Sequence, residues 1–556
     1  MKKAILVAGI IVIIGAPGLW FYGRPAYHRH KEARSLEQAK KFMASGDYRN
    51  ASLSARQTFQ LNPRNLDACR IIAELGEKSR SPDVLDWRRR IAALAPTVEN
   101  KLILASTELR VQGPPYPLAA QTLEELGASA KDVAAYHVLC AELALKLNKT
   151  SEAAAQFEEA SRLEPTNELH QLNLAVLRLQ STNASLASGA RATLERLRAS
   201  TNVGAVALRW LVAENVRRKD LATALHFSLQ LLADPHSVLD DRLEHLSILR
   251  QAKNPESDAY LSTLQRNVTT NTAEVYAISA WMVHHGLAED AMSWLSHFPA
   301  ALRAEQPVPL AFVDCYLIKK DWSDLETFLG DQRWGDLEFE RAAFLSLAAS
   351  EQQHGLAAEA RWRTAVREAG DRLGALTVLI SMASRWGQEK HEEDLLWQVA
   401  QRFPREKWAL LELKRLYFAT GNTLGLNKLF AALASYDPKD FEARNNLAAT
   451  SLLLKLNLPK AHELAKEVYI QHPEEAIVIS TYAYSLHLQG RSKEGLAALE
   501  RLKPEALENP SVALYYGVLL VALGETNKAS QYLGIAQRAF LLPEEKALLA
   551  EAVKGS

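Results

Sequence analysis

Cysteine is nearly absent from this chain: Cys69, Cys140 and Cys315 are the three among 556 residues. An odd, widely spaced set builds no disulfide framework. Without a CxxC pair, neither a zinc ribbon nor a thioredoxin-like redox motif is encoded. An excess of either charge is also missing. Lys+Arg and Asp+Glu both number 65, for a formal net charge of zero. A general nucleic-acid binder needs a basic face to release counterions, so nucleic acid is not an expected partner. Glycine (25) and proline (21) are too scarce for a loop-rich β protein. The phosphate loops G-x-x-x-x-G-K-[ST] and G-x-G-x-x-G and the nucleophile elbow G-x-S-x-G do not occur, which disfavours enzymes of those classes. The expectation is a chain with no cofactor and no enzymatic activity.

What is present is apolar, helix-forming and periodic. Apolar residues make up 48% and charged residues 23%, the composition of a folded protein. Two blocks of equal length show the period. Residues 32–63 read EARSLEQAKKFMASGDYRNASLSARQTFQLNP, and residues 134–165 read AAYHVLCAELALKLNKTSEAAAQFEEASRLEP. Small residues coincide at the eighth place (Ala39, Ala141) and the twentieth (Ala51, Ala153). A turn residue falls near the fifteenth (Gly46, Asn148), and proline closes both (Pro63, Pro165). The physical logic is a helix, a tight turn and a second helix. Small residues let the two backbones approach, and the turn needs a residue that tolerates φ > 0, hence Gly or Asn. Proline stops the second helix because the residue before it avoids the α region.

This spacing resembles the tetratricopeptide repeat (TPR), a helical hairpin of 34 residues. Similar blocks recur near the C-terminus, with Ala449, Ala461 and Pro473, then Ala483, Gly490 and Pro504, then Gly517, Gly524, Ala529 and Pro543. The matches thin between residues 237 and 405. The resemblance implies an all-α, right-handed α-solenoid with a concave groove, about fifteen units long at that period. The chain therefore reads as an N-terminal segment (1–31), N-terminal repeats (32–236), degenerate repeats (237–405) and C-terminal repeats (406–556).

The N-terminal segment carries AILVAGIIVIIGAPGLWFYG, residues 4–23, an uncharged apolar run after MKK. Ten of its residues each favour bilayer insertion by roughly 0.3–0.6 kcal/mol, and Trp20, Phe21 and Tyr22 suit an interfacial belt. A cleaved signal peptide is the alternative, but no A-x-A site follows the apolar core. The expectation is a transmembrane anchor, a single pass of the inner membrane and an extracytoplasmic soluble region.

Several constellations of residues bear on chemistry. Cys140, with His137 one turn earlier, reads as a small packing residue rather than a nucleophile. The pairs His28/His30 and His284/His285, and the run from His391 to Asp394, lack a recognised metal-ligand spacing, so no metal is expected. Eight of eleven tryptophans lie between Trp281 and Trp408. They line an aromatic groove for a glycan or peptide, or they fill a core of altered repeat geometry. Some TPR proteins clamp a peptide C-terminus with Lys, Arg and Asn on successive first helices. By that resemblance Lys414, Arg415, Asn445 and Asn446 form a candidate partner-binding patch, incomplete beside the family's pattern. The function implied is a scaffold that binds protein or peptide partners in its groove, in cell-envelope assembly or export. The alternatives are a glycan- or peptide-binding module using the tryptophans, and an enzyme with a site within residues 237–405.

Overall fold

A computed structural model describes residues 24–555 except 80, 82, 112, 114 and 405. Within them are 33 α-helices, one short 3-10 turn and no strand. The contacts divide the chain into two compact units, Met1–Glu274 and Val275–Ser556. The first holds seven helical hairpins, from Arg24–Ala44 with Tyr48–Leu61 to Leu239–Gln251 with Ser257–Asn267. The second holds eight, from Thr272–His284 with Ala288–Ser296 to Pro510–Ala522 with Thr526–Ala536, followed by a closing helix, Pro543–Gly555.

Small residues set the hairpin packing as the repeat predicts. Ala39, Ala51, Ala141 and Ala153 are all fully buried. Ala141 and Ala153 lie in one cluster with Ala144 and Phe157, where first and second helices touch. A larger side chain at either alanine forces the helices apart, at about 1–3 kcal/mol.

Local chemistry fixes the turns. In most hairpins one residue between the helices takes positive φ. Gly46, Asn148, Gly421 and Gly490 do so as the sequence predicts, and so do Lys219, Lys253, Lys320, Gln353 and Lys455. The requirement for Gly or Asn was therefore too strict. Stacking on both sides holds the turn, and a lysine there accepts a left-handed backbone at about 1–2 kcal/mol. An Asp or Asn often follows directly and caps the second helix. Asp47 accepts from the Asn50 N–H (3.2 Å), Asp220 from Thr223 (3.1 Å) and Asn422 from Gly425 (2.8 Å).

The period is visible in side-chain bonds between successive repeats. Pairs separated by 32 residues recur. Arg209 clasps Asp241 with two bonds (2.8 and 2.9 Å), and Arg198 donates to Gln230 (2.8 Å). His391 meets Glu359 (3.1 Å), Tyr436 donates to the Pro404 carbonyl (3.3 Å), and Arg501 donates to Tyr469 (3.1 Å). The hairpins continue through residues 237–405, where the sequence pattern is faint. Three of the five non-glycine, non-asparagine turn residues named above, Lys253, Lys320 and Gln353, fall there.

The membrane expectation is corrected. Among the described residues no helix is long and apolar enough to cross a bilayer, so a single-pass inner-membrane placement is not supported. The longest of them, Arg24–Ala44, spans about 31 Å, but its sequence RPAYHRHKEARSLEQAKKFMA is charged throughout. A charged residue near a bilayer centre costs about 2.5–3.5 kcal/mol on insertion scales. The apolar run 4–23 read as the anchor lies outside the described residues.

Candidate functional site: an open groove in the first unit

The first unit contains a depression of about 690 Å³. Its floor comes from two neighbouring first helices, Val98–Val111 and Ala134–Lys146. Leu102 and Leu139 are buried beneath it, and Ile103 and Val138 are half-buried at its surface. Ser106 and Ala135 are exposed within it. Leu102 and Leu139 share a buried cluster with Leu123 and Leu126 of helix Pro117–Ala130, Val138 packs against the cluster of Ala153 and Phe157, and among the described residues the space above this floor is open.

The rim is charged at both ends, with opposite sign. At one end Arg88 and Arg110 converge on a single carboxylate oxygen of Glu77. Arg88 donates at 2.9–3.1 Å and Arg110 at 3.5 Å. Two guanidinium groups share one carboxylate, so one positive charge is left over. Arg110 is the looser partner and its side chain is 60% exposed. At the other end Glu164 accepts from Asn167 (2.8 Å) and from Nε2 of His170 (3.0 Å). Those two bonds hold the Glu164 carboxyl below its usual range, so it stays a carboxylate. His170 is buried, and its Nδ1 has no partner among the described residues.

The corresponding surface near the end of the second unit is covered. Helix Pro510–Ala522 is buried continuously from Val512 to Leu520. Helix Ala476–Leu488 is buried nearly as completely. The chain's own terminal segment packs there. Leu541, Leu542, Leu549 and Ala552 share a cluster with Tyr484 and Tyr515. Tyr515 donates to Glu545 (2.9 Å), whose other oxygen accepts from the Leu542 N–H (2.9 Å). The segment also reaches back to an earlier hairpin. Phe540 meets Phe418 edge-on at 6.1 Å, Thr423 donates to Glu544, and Pro543 packs against Gly421.

The residues singled out from sequence fall as follows. Lys414 and Arg415 are exposed on helix Trp408–Thr420. The Arg415 guanidinium is engaged by Glu412 (2.6 Å) and lies 3.6 Å from Glu392. Both acids and Arg415 line a smaller depression of about 380 Å³ with Thr377, Ser381 and Arg385. Asn445 is 3% exposed on helix Phe441–Leu453, its Oδ1 without a partner, and Asn446 is half-buried beside it.

Cys140 is half-buried against the cluster that contains Leu102 and Leu139. Burial pushes its thiol up, away from a reactive thiolate. His137 faces elsewhere, with Nδ1 on Gln156 (2.7 Å) and Nε2 on the Lys131 carbonyl (2.8 Å). His391 stacks on Trp362 at 4.5 Å, and His285 stacks on Trp281 at 4.0 Å. Among the described residues no group of three or more His, Cys, Asp or Glu is arranged to hold a metal ion. None of the eight clustered tryptophans is exposed. Trp281, Trp334, Trp362 and Trp397 are buried, and Trp397 donates to the Tyr417 hydroxyl (2.8 Å). Within residues 237–405, burial raises the Asp314 and Glu340 carboxyls, and the Tyr276 hydroxyl bonds to Asp314.

No sequence motif marks the charged rim. Glu77, Arg88, Arg110 and Glu164 are spread over three repeats and sit in no motif. A partial signal exists in the repeat register. Arg110 stands in the last turn of a first helix, and Glu164 stands immediately before a repeat-closing proline.

No protein-family model and no curated protein matches the chain. Solved structures do. One, described as the functional characterisation of Pseudomonas aeruginosa pilF, is 18% identical, with 41% of this chain and 99% of that chain covered, at a TM-score of 0.31. PilW, a type IV pilus biogenesis factor, is 19% identical over 42% of this chain and 93% of its own, at 0.25. The anaphase-promoting complex hetero-tetramer Cut9–Hcn1 is 13% identical over 98% and 99%, at 0.27. At such identities and scores these likenesses carry no argument about function. The repeat period, the buried small residues at the helix crossings and the capped left-handed turns do bear on the fold: the chain is an array of helical hairpins of the tetratricopeptide type.

Proposed function

We propose that this chain is a protein-interaction scaffold and that its first unit binds a segment of a partner protein in the groove between helices Val98–Val111 and Ala134–Lys146. One observation carries this reading. The groove has an apolar floor and charged ends, and none of the described residues fills it, whereas the comparable surface at the end of the second unit is covered by the chain itself. Its volume of about 690 Å³ lies in the range of about 300–1,000 Å³ typical of sites for small ligands. That suits a short peptide segment or a helical turn rather than a folded domain. Stacked helical repeats offer such surfaces because each hairpin buries one face on its neighbours and leaves another free.

Lys414, Arg415, Asn445 and Asn446 are proposed as a secondary contact patch, since they lie on successive first helices of the second unit. Components of envelope assembly or export are the partners that the sequence reading suggests, and partner identification decides between them and others. The test is crosslinking in intact cells, followed by identification of copurified proteins, for the natural chain and for Ser106→Trp. Ser106 is exposed within the groove, so the indole fills the groove without disturbing the core. The expected result is a set of crosslinked proteins lost in Ser106→Trp. An unchanged set would remove the groove from the proposal.

A further inference from the structure

We infer that the groove of the first unit recognises a segment of mixed charge: apolar at its centre, acidic at the end lying on Arg88 and Arg110, basic at the end lying on Glu164. The inference rests on the scaffold reading and specifies the partner's chemistry. The positive end follows from stoichiometry. Two guanidinium groups address one oxygen of Glu77, so the pair is short of one carboxylate. Arg110, the more distant and more exposed of the two, is free to turn to an incoming acid. The negative end follows in the same way. Among the described residues Glu164 accepts from Asn167 and His170 and stays ionised, and no Lys or Arg is paired with it.

Between these ends the floor is apolar, with Leu102, Ile103, Val138 and Leu139. A segment acidic at both ends meets Glu164, and one basic at both ends meets the arginines. Each mismatch leaves a like-charge contact at the exposed rim. Charge thus selects the partner, while the apolar floor supplies the buried area that holds it. The chain direction of the segment is not fixed by this geometry, because side chains rather than backbone carry the recognition.

The test uses the full chain and four short fluorescent peptides with one apolar centre in common. Two carry Glu at one end and Lys at the other, in the two chain directions. One carries Glu at both ends, and one carries Lys at both. Binding is read by fluorescence anisotropy. At least one mixed peptide is expected to bind about tenfold more tightly than either uniform peptide, a difference of about 1.4 kcal/mol. Arg110→Glu reverses the surplus charge at its end. It is expected to weaken the mixed peptides by about tenfold and to make the dibasic peptide the tightest binder.

Equal affinity for all four peptides, or an Arg110→Glu variant whose ranking is unchanged, overturns the inference. If no peptide binds while Ser106→Trp still abolishes partner crosslinking, the charge rule falls and the scaffold reading stands. If no peptide binds and Ser106→Trp changes nothing, both fall.

Discussion

Helices Ala134–Lys146 and Pro510–Ala522 have the same length and the same place in their hairpins, yet they meet different surroundings. The first buries Ala134, His137, Leu139, Ala141 and Ala144, a spaced set that leaves one side to solvent. The second buries nine consecutive residues, from Val512 to Leu520. A helix that is apolar all round needs cover on every side. Here the cover is the segment Phe540–Leu542 and the closing helix Pro543–Gly555. The same repeat therefore gives an open surface in one unit and a closed, core-like end in the other. The difference lies in what packs across the first helices.

The strongest way to break this comparison is to cut into the closed end. Tyr515→Ala removes a buried ring and one of the two bonds to Glu545, so it should destabilise the second unit by about 3–5 kcal/mol. Ile103→Ala, on the half-exposed floor of the groove, should cost only about 1 kcal/mol. Chemical denaturation of the two variants measures the gap. Equal losses would mean that the groove is as tightly covered in solution as the closed end.

A second test uses pH. Burial raises the Glu545 carboxyl above its ordinary value of 4.5, against bonds from Leu542 and Tyr515 that pull it down. A raised carboxyl contributes stability that is fully present below pH 4.5 and is lost as pH rises through the folded-state value. In the first unit, burial also acts to raise Asp241, but Arg209 and the Val238 N–H outweigh it and hold it below 3.8. That contribution is present above pH 3.8 and is lost as pH falls through the depressed value. Moderate acidification should therefore tighten the terminal segment while leaving helix Leu239–Gln251 unchanged. Hydrogen exchange, corrected for its intrinsic pH dependence, reads both regions. Glu545→Gln should flatten the response of the first without altering the second.

The smallest effects concern single positions. Lys320 holds φ = 55° in its turn. Lys320→Gly should relieve left-handed strain and stabilise the second unit by about 1 kcal/mol. A loss of stability would show that the lysine side chain contributes packing that outweighs the strain. Cys140→Ala should lower stability by about 1 kcal/mol or less and leave partner binding intact. Loss of binding with unchanged folding would return Cys140 to the list of functional residues.

Much of the hairpin architecture was legible in the sequence, because its determinants are local. A small residue at a helix crossing, a turn residue and a closing proline act within one repeat of about 34 residues. The legibility failed where another residue could meet the same need. Lys253, Lys320 and Gln353 adopt the turn conformation expected of glycine, so the middle repeats look degenerate in sequence while their geometry is kept. The tryptophans of that region read equally as a groove or as a core, and packing decided for half-buried and buried positions.

By itself, then, the sequence determined the repeat: its period, its alanine contacts, its glycine and asparagine turns and the packing role of Cys140. Those features depend on backbone propensity and on side-chain size within reach of a few residues. Only the tertiary structure decided where the array is open and where it is closed. It set Arg88 and Arg110 on the one carboxylate of Glu77, placed Glu164 at the opposite end of an apolar floor, and brought Glu544 to Thr423 across 121 residues. Groove and closure depend on which repeats meet in space, and no periodicity in a single repeat encodes that.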